Sequence, residues 1–141
     1  MNGIAYLGRS CAVIGVGLML AAGCERGGAS PGQRIYDDGV GLDGPIEYTQ
    51  GPDWFRFADS GCAICHGGRG QGLVVKTGGA TGAAPAVAWD ALASRGYDEA
   101  SLRGALTRGI DPHGRELHYY MPRWVLSEAE IAALVTYLQS L

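Results

Sequence analysis

The sequence is poor in the material from which a domain of its size usually builds a core. Only two phenylalanines occur in 141 residues, against 24 glycines, more than twice the usual glycine share of ~7%. Charged residues make up 18% and the formal net charge is −3. With no basic surplus to hold a phosphate backbone, nucleic-acid binding is set aside. No internal repeat is visible, and the length suits one domain while being too short for two good cores. The uncharged run Cys11–Gly23 would rise only ~20 Å as a helix, short of the ~30 Å hydrocarbon core of a bilayer. A chain so thin in aromatic bulk has to fill its middle with something other than its own side chains.

That apolar run reads as the h-region of a signal peptide. It ends in Leu20-Ala21-Ala22-Gly23-Cys24, small residues directly before a cysteine, which looks like a bacterial lipoprotein signal. Residues 1–23 would be removed and Cys24 would carry the lipid. Ordinary secretion with cleavage near Gly23 and a retained N-terminal anchor are the alternatives, and all three export the domain. Losing Arg9 with the signal takes the net charge one unit lower. The stretch Glu25–Arg34, rich in Gly, Ala, Ser and Pro, reads as a flexible tether. The expected organisation is a signal over 1–23, a lipid-anchored tether over 24–31 and a folded domain over 32–141.

Cys62 and Cys65 remain, in Cys62-Ala63-Ile64-Cys65-His66. C-x-x-C-H is the signature of c-type haem attachment. Two thiols three apart on a helical turn reach the two vinyl groups of a haem, and the next residue, His66, turns under the iron as the proximal imidazole. Two other readings compete. A thioredoxin-like dithiol sits at a helix N-terminus after a strand, whereas Asp53-Trp54-Phe55-Arg56-Phe57-Ala58 looks helical. A structural zinc needs two more ligands, for which His113 and His118 could be proposed.

A haem iron with one histidine is closed by Met, closed by a second His, or left open for chemistry. Met121, in Tyr119-Tyr120-Met121-Pro122-Arg123-Trp124, is the one methionine left once Met1 and Met19 go with the signal. Its thioether is a soft, neutral ligand that raises the potential, and Pro122 stiffens the backbone beside it. A methionine is otherwise most often a flexible core filler. His118 is the reserve ligand, and His113, in Gly109-Ile110-Asp111-Pro112-His113-Gly114, reads as a solvated loop residue.

The last helix is the clearest element. Ser127 and Glu130 form a capping box, Leu126 and Ile131 a hydrophobic staple, and Ile131, Leu134, Val135, Leu138 and Leu141 one apolar stripe. A second helix is expected after Asp98, with Leu102, Ala105 and Leu106 facing inward and Gly109 as its stop. A third is expected from about Asp53 to Cys65, and a short one at Trp89–Ala93. Val40–Gln50 suits a small hairpin. Gly67–Gly82, with seven glycines in sixteen residues, reads as loop, whose lack of bulk would let backbone lie close to a haem edge.

Together these residues resemble a class I cytochrome c over about 32–141. The likeness rests on Gly32-Gln33-Arg34-Ile35-Tyr36, Ser60–Gly67 with the haem motif, Ala84-Pro85-Ala86, Gly109-Ile110-Asp111, Met121-Pro122-Arg123-Trp124, and Leu126–Ile131 running into Leu134–Leu138. It implies an all-α fold, with N- and C-terminal helices crossing over one covalently attached haem c. It also implies that the Pro85 carbonyl accepts the free ring N–H of His66, fixing the ring and raising its basicity. The family usually places its G-x-x-I-Y helix a few residues before the haem cysteines, whereas Tyr36 and Cys62 are 26 apart in this chain. The resemblance therefore implies a loop inserted at Gly39–Gly51, and leaves open which helix packs against the C-terminal one.

Trp54 and Trp89 read as core, while Trp124, beside Met121, is a candidate donor to a haem propionate. Tyr119 and Tyr120 are ambiguous, and Arg115 and Arg123 read as solvated surface. The expectation is a non-enzymatic, membrane-tethered electron carrier on the periplasmic side. Cys62, Cys65, His66, Met121, Pro85 and Trp124 would hold its haem, Cys24 its lipid, and unidentified redox proteins would serve as donor and acceptor. The alternatives are a haem enzyme or sensor with an open distal position, and a fixed subunit of a larger respiratory or dehydrogenase complex.

Overall fold

The structure, a computed structural model, describes residues 28–58, 60–77 and 80–141. The segment expected to be a signal, residues 1–23, and Cys24 lie outside them. Ser30 accepts from the Gln33 N–H at 3.1 Å and caps α1 (Pro31–Asp38), which has proline in its first turn and closes on Gly39 in the left-handed conformation. Residues 31–34, expected in the tether, are thus helix, and the expected boundary at 32 falls inside α1. Ser30-Pro31 is a start signal that the surrounding Gly and Ser concealed.

The segment from Asp53 to Cys65 is not one helix. It holds a 3₁₀ turn (Asp53–Phe57) and a separate short helix, α2 (Ala63–His66). Asp59-Ser60-Gly61 is a cluster of turn formers, and the Gly61 N–H donates to the Asp37 carbonyl at 3.0 Å. Further on come α3 (Trp89–Ala93), α4 (Glu99–Arg108) and α5 (Glu128–Gln139). Helix α5 has the capping box expected at Ser127, and Asp98 caps α4 as expected, there in a reciprocal box with Ser101; α4 ends at left-handed Gly109. The α5 stripe is buried as far as Leu138, while Leu141 lies beyond the helix and is exposed.

The expected all-α fold is corrected by two short antiparallel strand pairs. Strands β2 (Leu73–Thr77) and β3 (Ala80–Ala84) pair across Gly78-Gly79, where a loop was expected. The β-branched run Val74-Val75 beside a Gly-Gly pair is a hairpin signal that the glycine count obscured. Strand β1 (Tyr48–Gln50) pairs with β4 (Arg123–Trp124) and not within its own segment. Only the bridge between Val40 and Pro45 remains of the hairpin expected over 40–50.

Helix α1 packs against α5, which resolves the open choice of partner. A Cβ on Gly32 would stand 2.0 Å from the Ala133 carbonyl oxygen, so the crossing requires glycine at that point. The core lies among Ile35 and Tyr36 of α1, Leu102 and Leu106 of α4, and Ile131, Leu134, Val135 and Leu138 of α5, with Phe55, Leu92 and Trp124 joining it. Among the described residues no helix is long and apolar enough to cross a membrane.

Candidate haem site

A cleft of about 330 Å³ opens beside this core. Residues distant in sequence share its wall: Cys62, Cys65 and His66 at α2, Ala84 at the end of β3 with Pro85 after it, and Met121 with Trp124 of β4. Pockets of this size and apolar lining are typical of cofactor sites.

Cys62 caps α2, and the helix turn carries both cysteines and His66 on one short rigid piece. The His66 ring is buried. Its Nδ1 donates to the Pro85 carbonyl at 2.8 Å, the contact implied by the resemblance, and this leaves Nε2 with its lone pair. Burial lowers the pKa of the imidazole and outweighs the Pro85 bond, which acts the other way. The ring is thereby kept neutral, the form that binds a metal.

The backbone near Gly70 brings Pro85 into place. The Gly70 carbonyl accepts from the Val87 N–H at 2.7 Å, and the Gly72 N–H donates to the His66 carbonyl at 2.8 Å. Gly70 has φ +64°, and a Cβ there would meet the Ala88 nitrogen at 2.7 Å, so only glycine allows this approach. Arg95, which sequence reading passed over, donates to the Ala86 carbonyl through its guanidinium and to Ala91 through Nε at 3.0 Å. Nothing in the local sequence pointed to it, because its partner is a backbone carbonyl nine residues away.

Cys62 and Cys65 are not joined by a disulfide. Burial pushes the Cys62 thiol up to about 12 and raises that of Cys65 as well. A redox dithiol depends on a lowered thiol pKa, so this environment opposes the thioredoxin-like reading. Among the described residues no group of three or more His, Cys, Asp or Glu could hold a metal ion, which leaves the zinc reading without a ligand set. His118 lines the cleft, but His113 does not.

Trp54 lines the cleft and is partly exposed, where core packing was expected, while Trp89 stays against the core. Trp124 is buried between cleft and core. Its ring meets Phe55 edge-on at 5.4 Å and Tyr48 at 5.9 Å. Arg123 is a second departure, being buried where solvent was expected. Its guanidinium donates to the carbonyls of Met121 and Leu117, the latter at 2.8 Å, and so braces the methionine loop from within. Arg115 pairs with Asp111 at 2.7 Å on the surface.

The Trp124 indole Nε1 is buried with no hydrogen-bond partner. An unpaired buried donor is costly, and one beside an apolar cleft fits a group that brings its own acceptor, as a propionate does. The paired thiols, neutral imidazole, thioether and orphaned indole donor thus fit a haem in type and number.

Fold and cleft define a small domain of helices and two short strand pairs, with an apolar cleft that presents two thiols, an imidazole and a thioether. The chain belongs to the cytochrome c family, whose model, described as Cytochrome c, matches residues 55–141. It is a haem-based electron-transfer protein with one covalently bound haem c. No curated protein and no solved structure matched it.

Proposed function

We propose that the chain is a membrane-tethered, periplasmic electron carrier whose haem is attached through Cys62 and Cys65 and ligated by His66 and Met121. One observation carries this reading: His66, its ring set by Pro85 at 2.8 Å, and Met121, 55 residues later, line one apolar cleft. The haem, when bound, supplies one-electron chemistry at its iron. The protein's part is to hold neutral imidazole and thioether in place and to exclude water, so that little moves when the charge changes. Pro85 orients the imidazole, Arg123 braces the loop that carries the thioether, and Trp124 offers its N–H to a propionate. Segment 39–51 is an insertion relative to the family pattern. Leu20-Ala21-Ala22-Gly23-Cys24 supports a lipid on Cys24 and hence a domain held near a membrane, meeting donor and acceptor proteins through small, transient contacts.

The test is the optical spectrum of the matured ferric protein with and without Met121→Ala. The expected result is a weak far-red charge-transfer band, from methionine sulfur on ferric haem, that disappears in the variant. A high-spin ferric spectrum unchanged by the substitution would overturn the closed site and bring forward an open-iron enzyme or sensor.

A further inference from the structure

Segment 39–51 lies outside the residues matched by the family model and lends no residue to the cleft lining. Its contacts nevertheless converge on the residues around Met121. Tyr48 and Gln50 pair with Trp124 and Arg123. The Glu47 carbonyl accepts from the Val125 N–H at 2.8 Å, and the Thr49 hydroxyl donates to the Arg123 carbonyl at 3.4 Å. On the other side of Met121, the Tyr119 hydroxyl donates to the Gly51 carbonyl at 2.5 Å. The far end of the segment is fixed as well, since the Leu42 N–H donates to Glu130 Oε1, in the first turn of α5, at 2.9 Å. The methionine is thus bracketed, at 119 and at 123–125, by bonds to a single segment that is itself anchored to the core.

We propose that segment 39–51 is a strap that holds the Met121 loop closed on the haem cleft, with Tyr119 as the positioning residue that ties the loop to it. The inference rests on Met121 being an iron ligand. A thioether is a weak, neutral donor, so how often it leaves is set largely by the freedom of its loop. Arg123 braces that loop from within, which shapes it without fixing its place over the cleft. The strap fixes the place. Swinging the loop outward breaks the Tyr119 bond and strains the β1–β4 pairing. Tyr119 is 49% exposed, so Tyr119→Phe removes the hydroxyl without opening the core. Losing one net hydrogen bond of ordinary strength changes an equilibrium constant by about 2- to 13-fold.

The experiment uses the ferric holoprotein and imidazole, which can take the iron position only when Met121 is off. Tyr119→Phe is expected to raise the apparent imidazole affinity by about 2- to 13-fold, and Thr49→Val to shift it the same way. Val135→Ala, a buried α5 position away from the strap, is expected to lower global stability while leaving imidazole affinity unchanged. Unchanged affinity in Tyr119→Phe would overturn the strap, as would an equal rise in Val135→Ala, because the hydroxyl would then act only through general stability. The far-red methionine band of the unsubstituted protein is read first. Its absence there would overturn the Met121 reading, a failure separate from that of the strap.

Discussion

The Tyr36 hydroxyl donates to the Gly67 carbonyl at 2.6 Å across 31 residues of sequence, joining α1 to the residue directly after His66. Tyr36 is fully buried, and its ring lies 5.4 Å from that of Tyr137 on α5. Both crossing helices therefore bear on the piece of chain that carries the haem motif. Burial raises the phenol pKa well above its ordinary range, which favours the protonated hydroxyl that donates this bond.

Tyr36→Phe removes this donor, while the Gly67 carbonyl keeps the Gly70 N–H at 2.9 Å. The expected loss is that of one net hydrogen bond, about 0.5–1.5 kcal/mol, measured by guanidinium unfolding of the holoprotein. A variant of unchanged stability would show that the Gly70 N–H alone suffices for the Gly67 carbonyl.

At the helix crossing the limit is steric. A Cβ on Gly32 would lie 2.0 Å from the Ala133 carbonyl oxygen and 2.8 Å from the Tyr137 Cβ. Both neighbours belong to the α5 framework and cannot swing aside as a side-chain tip could. Gly32→Ala is expected to cost about 3 kcal/mol, seen as a lowered melting temperature with haem still attached. Ala at 32 with no change in melting would mean that α1 is free to slide on α5.

Trp124 carries a buried indole donor with no protein partner. With a propionate as acceptor, proton NMR of the ferrous holoprotein should show one slowly exchanging indole N–H that is absent from Trp124→Phe. The bond, being to a charged group, is expected to contribute about 1.5–3 kcal/mol. Rapid solvent exchange of that proton would remove the propionate from the assignment.

Acid should act through Glu130. Its carboxylate accepts from the Ser127 N–H and the Leu42 N–H, each at 2.9 Å, and from the Ser127 hydroxyl. These bonds, led by that from the Ser127 backbone, hold its pKa below the usual carboxylate value. A depressed folded pKa stabilises fully above the unfolded value of ~4.3, and the contribution is lost as pH falls through the folded one. In melts from pH 7 to pH 3, the unsubstituted protein should lead Glu130→Gln at neutral pH, and the gap should close below pH ~4.3. A gap that stays constant over that range would show that Glu130 acts through shape and not charge.

Local chemistry was legible along the chain. The haem motif is five consecutive residues whose roles follow from their spacing, and the Asp98 cap and the Ser127 capping box each lie within four residues. Such signals survive because the interacting groups are neighbours in sequence. The strands were less legible, since Val74-Val75 and Tyr48-Thr49-Gln50 are too short to show a period, and β1 pairs with residues more than seventy positions away. Residue type also misled at Arg123, where a guanidinium expected in solvent is buried because two loop carbonyls satisfy it.

Cys62, Cys65, His66 and Met121 were named by residue type and order, because thiol, imidazole and thioether chemistry belongs to each side chain wherever it stands. Their assembly into one cleft is a matter of folding. Gly70 lets Pro85 reach His66, α1 closes on α5 through the gap at Gly32, and segment 39–51 turns back to bind both sides of the Met121 loop. Apart from the Tyr119 hydroxyl and the His66 ring, those contacts are made by backbone atoms that almost every residue carries. Only the path of the backbone decides which of them meet.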